Sequence, residues 1–330
     1  MAPLHIGSGD TYTQKEYIYE KGYYYFPDMG KVYQEIQQKG SKVTETFESF
    51  LMQSGNRNNR QNPRLVQFLN DQRITTRNFG GYSIKETKLE LEADKKTPKG
   101  NINEVSAFIK DSYNMPYIPG SSLKGAIRTI LVNQHFKGDQ IPWGAKQGTQ
   151  FSDIFHSIRV SDSKPLSATD LILAQKWDYS SKKSEAKPLP VYRECIKPFT
   201  AIHFTITAIG EEAIQLLDSL GPLSNQQYEA YKRRFLKDFP SKYLQKNVQY
   251  PLYLGAGSGF WTKTYMDKAD PSRFRRGKMK MVGNGVLKLT KAPSVKYKVN
   301  GEIRHLINNP DNLYEFGKCN FLIKPLEGVD

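Results

Sequence analysis

An α+β fold is what this sequence predicts, on three observations. Leu123, Ile127, Ile130 and Leu131 recur at helical spacing, as on the buried face of a helix. Apolar and polar residues alternate through the second part of 191–209, as in a half-buried strand. Segments of these two kinds follow one another in mixed order along both halves of the chain, which suits an α+β layer. A length of 330 residues suits two domains of ordinary size. The stretch WDYSSKKSEAKPLP at 177–190 has no periodicity and is the expected boundary, giving domains 1–185 and 186–330.

In chain order, Pro3 to Ile6 reads as an opening strand ended by a turn at Gly7-Ser8-Gly9. Tyr17 to Phe26 reads as a hairpin around Glu20-Lys21-Gly22, its tyrosines packing a sheet more readily than stacking bases. Pro27 and Asp28 open a helix with Val32 and Ile36 inside, and 42–52 continues helical through Val43, Phe47, Phe50 and Leu51. Residues 53–63 form a polar, basic break, Arg64 to Asn70 a short helix, and 74–100 a charged stretch with little periodicity.

The sixteen residues PYIPGSSLKGAIRTIL, 116–131, then organise the chain. Pro116 and Pro119 keep the approach extended, and Gly120 turns. Ser121 and Ser122 are N-cap candidates for the helix that follows. Gly125 suggests a close neighbour, and Lys124 and Arg128 share a face. Unpaired N–H groups, the positive end of the helix dipole, two hydroxyls and two cations would together attract an anion.

Phe151 to Val160 passes from helix to strand, and Asp162 then fixes a turn rather than taking part in catalysis. Gly210 precedes the helix EEAIQLLDSL, stopped by Gly221-Pro222, and Ser224 with Gln227 suggests a capping box for the next helix. That helix would carry Tyr228, Tyr231 and Phe235 inside and Lys232, Arg233, Arg234 and Lys237 in solvent. The strand Pro251 to Leu254 runs into Gly255-Ala256-Gly257-Ser258-Gly259, whose glycines allow a nest of N–H groups and a close approach to a ligand. The spacing matches neither a P-loop nor a dinucleotide fingerprint. Strands at Val286 to Leu289 and Cys319 to Ile323, with a helical segment between, close the chain.

Net charge is +15, and self-repulsion on that scale points to a polyanionic partner. From Thr262 to Lys298 eleven cations, Lys263, Arg273, Arg275 and Arg276 among them, face only Asp267 and Asp270. Trp261, Tyr265 and Phe274 are interleaved with them, as on a surface that tracks phosphates. Cys195 and Cys319 form neither a ligand spacing nor a disulfide framework, which fits a reducing cytosol. The histidines show no metal-binding pattern, and neither a signal peptide nor a membrane-spanning run is read. No cofactor and no metal are expected.

PYIPGSSLKGAIRT closely resembles the motif of RAMP proteins, the RNA-binding subunits of CRISPR effector complexes. PLHIGSGD, VSDS at 160–163, YRECIKPFT, LGAGSGF and KCNFLIKPL are similar to other segments of that superfamily. Within it the chain looks most like the type III-A subunit that caps the complex at the 3′ end of the guide RNA. The resemblance implies two ferredoxin-like (RRM-like) βαββαβ units with inserted loops. It also implies a non-catalytic RNA-binding subunit in antiviral defence that takes part in guide RNA maturation. Its partners would be the guide RNA and the other complex subunits, and it admits target RNA and host nucleases that trim the guide 3′ end.

The phosphate contacts expected are Ser121, Ser122, Lys124, Arg128, Gly255, Gly257, Ser258, Gly259, Lys263, Arg273, Arg275 and Arg276. The alternative is a metal-independent repeat endoribonuclease of the same superfamily. It would need a histidine base, and His5 and His203 both read as structural.

Overall fold

A computed structural model describes residues 2–53, 63–75, 79–87, 102–135, 154–180, 183–237, 239–244, 249–263, 286–291, 295–299, 302–306 and 313–326. The first half contains β1 (Gly7–Thr13), β2 (Ile18–Glu20), β3 (Tyr23–Phe26), α1 (Met29–Gln38), α2 (Ser41–Met52), α3 (Leu65–Asp71), β4 (Tyr82–Lys85), β5 (Glu104–Phe108) and α4 (Gly120–Gln134). Next come β6 (Ile158–Val160), β7 (Leu171–Ser180), β8 (Glu185–Ile196), β9 (Ile206–Ala208), α5 (Glu211–Asp218) and α6 (Leu220–Tyr231). The last part holds β10 (Pro251–Tyr253), β11 (Val286–Thr290), β12 (Val295–Val299), β13 (Glu302–Leu306), β14 (Tyr314–Glu315) and β15 (Lys318–Asn320).

The predicted α+β class is what the chain adopts. Its centre is a six-stranded sheet in the order β1-β5-β8-β7-β11-β14, antiparallel except where β5 runs parallel to β8. One face of that sheet packs on the main core. Leu173 and Tyr192 meet Leu123, Ile127, Ile130 and Leu131 of α4 there, with Ala213, Leu216 and Leu217 of α5 and Tyr24, Phe26 and Ile84 of the β2–β3–β4 sheet. Complete burial of such a side chain stabilises the fold by about 1.5–3 kcal/mol. The helices α1, α2 and α3 close a second cluster around Phe47, Phe50 and Phe68, and a third gathers Tyr179, Tyr231, Phe235, Trp261, Leu287 and Leu289.

Several local expectations change. The opening strand is Gly7–Thr13 rather than Pro3 to Ile6, and Gly9 is accommodated at φ +104 where the register against β5 shifts, as in a bulge. The aperiodic stretch 177–190 is a paired hairpin, β7 against β8, because Tyr179 is buried and Trp177 half-buried on one face while Lys187 is exposed on the other. Its turn falls at the expected boundary, so strands from both sides of residue 185 share one sheet.

Gly221-Pro222 does not stop a helix. Both lie in the first turn of α6, where a missing proline N–H costs nothing. Ser224 therefore sits inside α6, buried, and donates to the Pro251 carbonyl instead of forming a capping box with Gln227. Between β11 and β14 stands the β12–β13 hairpin instead of a helix. Alternation does hold from Ala201 to Ala208, yet only Ile206–Ala208 forms a ladder, against β6. Among the described residues no helix is long and apolar enough to cross a membrane.

Candidate nucleic-acid interface

The predicted helix stripe of α4 is buried as expected, but its N-terminus is built differently. Pro119 occupies the cap position and no side chain of the first turn caps the helix. The cap comes from across the chain, where Asp162 Oδ1 accepts from the Gly120 N–H at 2.7 Å. A Cβ at Gly120 would stand 2.3 Å from the Val160 carbonyl oxygen, so glycine is needed there for backbone contact, not for a turn. Ser121 and Ser122 are therefore not the cap, and one donor of the expected anion site already holds a carboxylate.

Ser121 and Gly125 are exposed, and among the described residues nothing lies within 4 Å of a Cβ built on Gly125, so no close neighbour there explains that glycine. Lys124 is half-buried on the same helix. The Arg128 guanidinium lies 4.8 Å from the centre of the Phe155 ring, a packed position rather than a purely solvated one.

The glycine-rich loop follows β10, which pairs with β15. Gly255, Gly257 and Gly259 adopt φ of +71, +99 and +96, conformations that favour glycine. Three different neighbours accompany them. A Cβ at Gly255 would fall 2.0 Å from the His5 carbonyl oxygen, which also accepts from the Ala256 N–H at 2.8 Å. A Cβ at Gly257 would fall 2.6 Å from Arg193 Nη1, and one at Gly259 would rest 3.6 Å from Lys288 Cγ.

Lys263 Nζ donates back to the Gly255 carbonyl, and Ser258 is buried with its hydroxyl accepting from Thr262 Oγ1 at 3.1 Å. The loop is thus clamped on the residues before β1. One N–H of the expected nest is spent on protein. Trp261 stacks on Phe235 in the core, with ring centres 4.3 Å apart, so it is not available to bases. Arg273, Arg275, Arg276, Tyr265 and Phe274 lie outside the described residues.

The residues that sequence reasoning missed lie under this loop. Arg193 on β8 reaches Gly257 and places its guanidinium carbon 5.5 Å from the Phe316 ring centre. Its buried Nη1 has no hydrogen-bond partner among the described residues. Burial pushes its pKa down, against the opposing charge of Asp178. The only signal in the sequence was an arginine inside the apolar strand YRECI.

Next to Arg193, Glu194 points to the opposite face and is fully buried, accepting from the Phe108 N–H at 2.7 Å and from Tyr82 and Lys110. His5 Nδ1 sits 2.7 Å from the Glu194 carbonyl. Burial, opposed by that carbonyl and assisted by the charges of Arg193 and Lys110, lowers the His5 pKa from 6.5 to about 4.

His5 is therefore neutral in the fold at pH 7, and its contribution to stability has a definite sign. Between about pH 6.5 and 4 the unfolded chain binds a proton that the folded chain refuses. Stability present above pH 6.5 is lost as pH falls through that window, by about 3 kcal/mol at a cost of about 1.4 kcal/mol per pKa unit. Urea unfolding from pH 7 to 4 should show a steeper decline for the wild type than for His5→Asn. Parallel declines would mean that the ring stays protonatable in the folded protein.

A family model described as the RAMP superfamily matches residues 1–259 of this chain. A Streptococcus thermophilus protein described as "CRISPR system Cms protein Csm5" is 50% identical over 347 residues, covering 99% of this chain and 96% of that one. A Mycobacterium tuberculosis protein of the same description is 28% identical, covering 82% of each chain. Two solved structures share the fold at 18% identity. The crystal structure of T. onnurineus Csm5 gives a TM-score of 0.55 over 79% of this chain and 89% of that one. A chain of the cryo-EM Csm–crRNA–target RNA ternary complex of a type III-A CRISPR-Cas system gives 0.58 over 80% and 85%.

Proposed function

Since this chain belongs to the RAMP superfamily, in its Csm5 branch, we propose that it is a non-catalytic RNA-binding subunit of a type III-A CRISPR antiviral ribonucleoprotein. In this reading it caps the 3′-proximal end of the guide RNA and takes part in guide maturation. Its partners are then the guide RNA, target RNA and the sister subunits, with host nucleases trimming the guide end. The observation that carries the proposal is the half-identity to the Streptococcus thermophilus relative along nearly the whole of both chains. The glycine-rich loop at three positive φ values, backed by Arg193, Lys263 and Lys288, supplies a cationic surface suited to a phosphodiester backbone.

The contacts proposed on that surface are Gly255, Gly257, Ser258, Gly259 and Lys263. Ser121, Ser122, Lys124 and Arg128 on α4 are proposed with them. Arg273, Arg275 and Arg276 belong to the same expectation from sequence. A non-catalytic role gains support from His5, whose ring is buried with Nδ1 engaged and whose pKa is too low for a base poised near neutrality.

The two-unit ferredoxin-like architecture over 1–185 and 186–330 is part of the same proposal. Helices from both halves, α4 with α5 and α6, enter one core, so the units would meet through the shared sheet.

A tagged chain purified from its own cells should bring down sister subunits together with RNA enriched in guide sequences. The purified chain should leave a labelled guide precursor intact with Mg²⁺, Mn²⁺ or EDTA. Recovery of the chain alone with unrelated RNA, or cleavage abolished by His203→Ala, would overturn this reading.

A further inference from the structure

The sheet face beneath the glycine-rich loop carries a group of charges that the loop itself does not explain. Paired residues share a face of a sheet, and so do residues two apart on one strand. Ala174 pairs with Arg193, Lys176 with Thr290 and Asp178 with Lys288, which sets Lys176, Asp178, Arg193 and Lys288 on one face. That face is opposite the one bearing Leu173, Tyr192, Tyr179 and Leu287 in the cores. Part of it is covered by a small apolar cluster of Ile172, Ala174, Cys195 and Phe316. The rest stays partly open, with Lys176, Asp178 and Lys288 side chains 18%, 24% and 24% exposed.

Among the described residues the charges do not balance. Farther along this face Glu185 pairs with Lys187 at 3.4 Å, which leaves Asp178 as the carboxylate beside the remaining cations. It holds Lys288 Nζ at 2.8 Å and lies 3.6 Å from Lys176 Nζ. Arg193 adds a third cation, with Nη1 buried and unsatisfied, and Lys263 a fourth within reach of its field. Burial pushes the Lys176 pKa down, and the charges of Lys288 and Arg193 push it further while the Asp178 carboxylate opposes them. A fold that only needed to tie these strands together would match its cations with carboxylates. A site that takes up an anion leaves them in excess. Lys288 also lies under Gly259, so the cluster continues the surface of the loop.

We infer that Lys176, Arg193 and Lys288 form a phosphate site on the open face of the central sheet, adjoining the glycine-rich loop, that takes a backbone phosphate of single-stranded RNA. Asp178 is its resident counter-ion, holding the two lysines in place until phosphate displaces it. This inference rests on the RNA-binding reading above and adds a second row of contacts beyond the loop.

The test uses the full chain and a fluorescently labelled single-stranded RNA of mixed sequence, titrated at several salt concentrations. Circular dichroism and unfolding midpoints serve as fold controls. Each phosphate contact contributes about 0.7 to the slope of log affinity against log salt, so Lys176→Gln with Lys288→Gln, which dismantles a site for one phosphate, should lower the slope by about 0.7. Asp178→Asn should act oppositely and tighten binding severalfold, because it removes the competing carboxylate. That second variant keeps the test decisive if the double variant unfolds.

An unchanged slope in a folded double variant overturns the inference. So does weaker binding in Asp178→Asn, which would make the group a structural ion-pair network. Loss of sister subunits with the salt slope intact would mean that the cluster docks an acidic protein segment, and also overturns it. If the wild type and Lys124→Glu bind RNA equally poorly, without salt dependence, the RNA-binding reading itself fails rather than this site alone.

Discussion

Glu194→Ala will destabilise the protein by about 3–5 kcal/mol, the cost typical of breaking a buried ion pair by removing one partner. Glu194 has no exposed surface, and the Lys110 side chain that it pairs with is 7% exposed. Burial drives the Lys110 pKa down, and the carboxylate opposes that shift by charge and hydrogen bond. Without Glu194 the ammonium would remain 4.4 Å from the Tyr82 ring centre with its counter-charge gone, and the Phe108 N–H and Tyr82 hydroxyl would lose their acceptor. Adding Lys110→Met to a Glu194→Leu variant should recover much of the loss, since two apolar groups tolerate this site better than one orphaned charge. Urea unfolding of the two single variants and the double variant measures the coupling. A loss below about 1 kcal/mol in Glu194→Ala would show that water reaches the pair.

Gly255→Ala should abolish RNA binding, while Gly259→Ala should reduce it only modestly. Both residues have positive φ, so an L side chain is strained at either place, by about 1–3 kcal/mol. Their surroundings separate them. The new Cβ at 255 would lie 2.0 Å from the His5 carbonyl oxygen, a backbone atom that cannot swing away. The loop must lift, which breaks the Ala256 N–H bond to His5 and the Lys263 tie to the Gly255 carbonyl. At 259 the nearest atom is Lys288 Cγ at 3.6 Å, an ordinary contact. Filter binding with both variants decides the matter, with thermal unfolding in parallel. Equal affinities for the two would remove the docked loop from the RNA-binding surface.

The sequence made the buried side of the protein legible wherever a single period ran uninterrupted. The stripe of α4 and the Phe47–Phe50 face of α2 came from spacing, and the β2–β3 hairpin from the turn at Glu20-Lys21-Gly22 between aromatic runs, whose Tyr17 and Tyr24 the structure buries. What stayed hidden were roles fixed by partners distant in the chain. Asp162 caps a helix 42 residues earlier, and Gly255 is shaped by His5. No local pattern can announce such a relation. The hairpin at 177–190 was missed for a different reason: its lysines and prolines imitate a linker, and its strand character comes from pairing on both sides of β7. The charge excess near the loop was legible, but its location was not. Lys288 was visible only as one cation in a basic block, and Lys176 and Arg193 join it through sheet register.

The segment Ala2–Ile6 ties together parts of the chain that are made much later. Ala2 N–H donates to the Lys318 carbonyl, the Pro3 carbonyl accepts from Gly317, Leu4 exchanges bonds with Ile196, and His5 holds the glycine-rich loop. On the ribosome these residues precede their partners, Ile196 by about 190 residues, the glycine-rich loop by about 250 and Gly317 and Lys318 by more than 300. Contacts of such separation close slowly and late. The loop geometry is therefore among the last features to be set during biosynthesis. A nascent chain can have the cluster of α1, α2 and α3 packed and still lack its binding surface, which leaves a window in which a chaperone or an assembling partner meets the protein before that surface has formed.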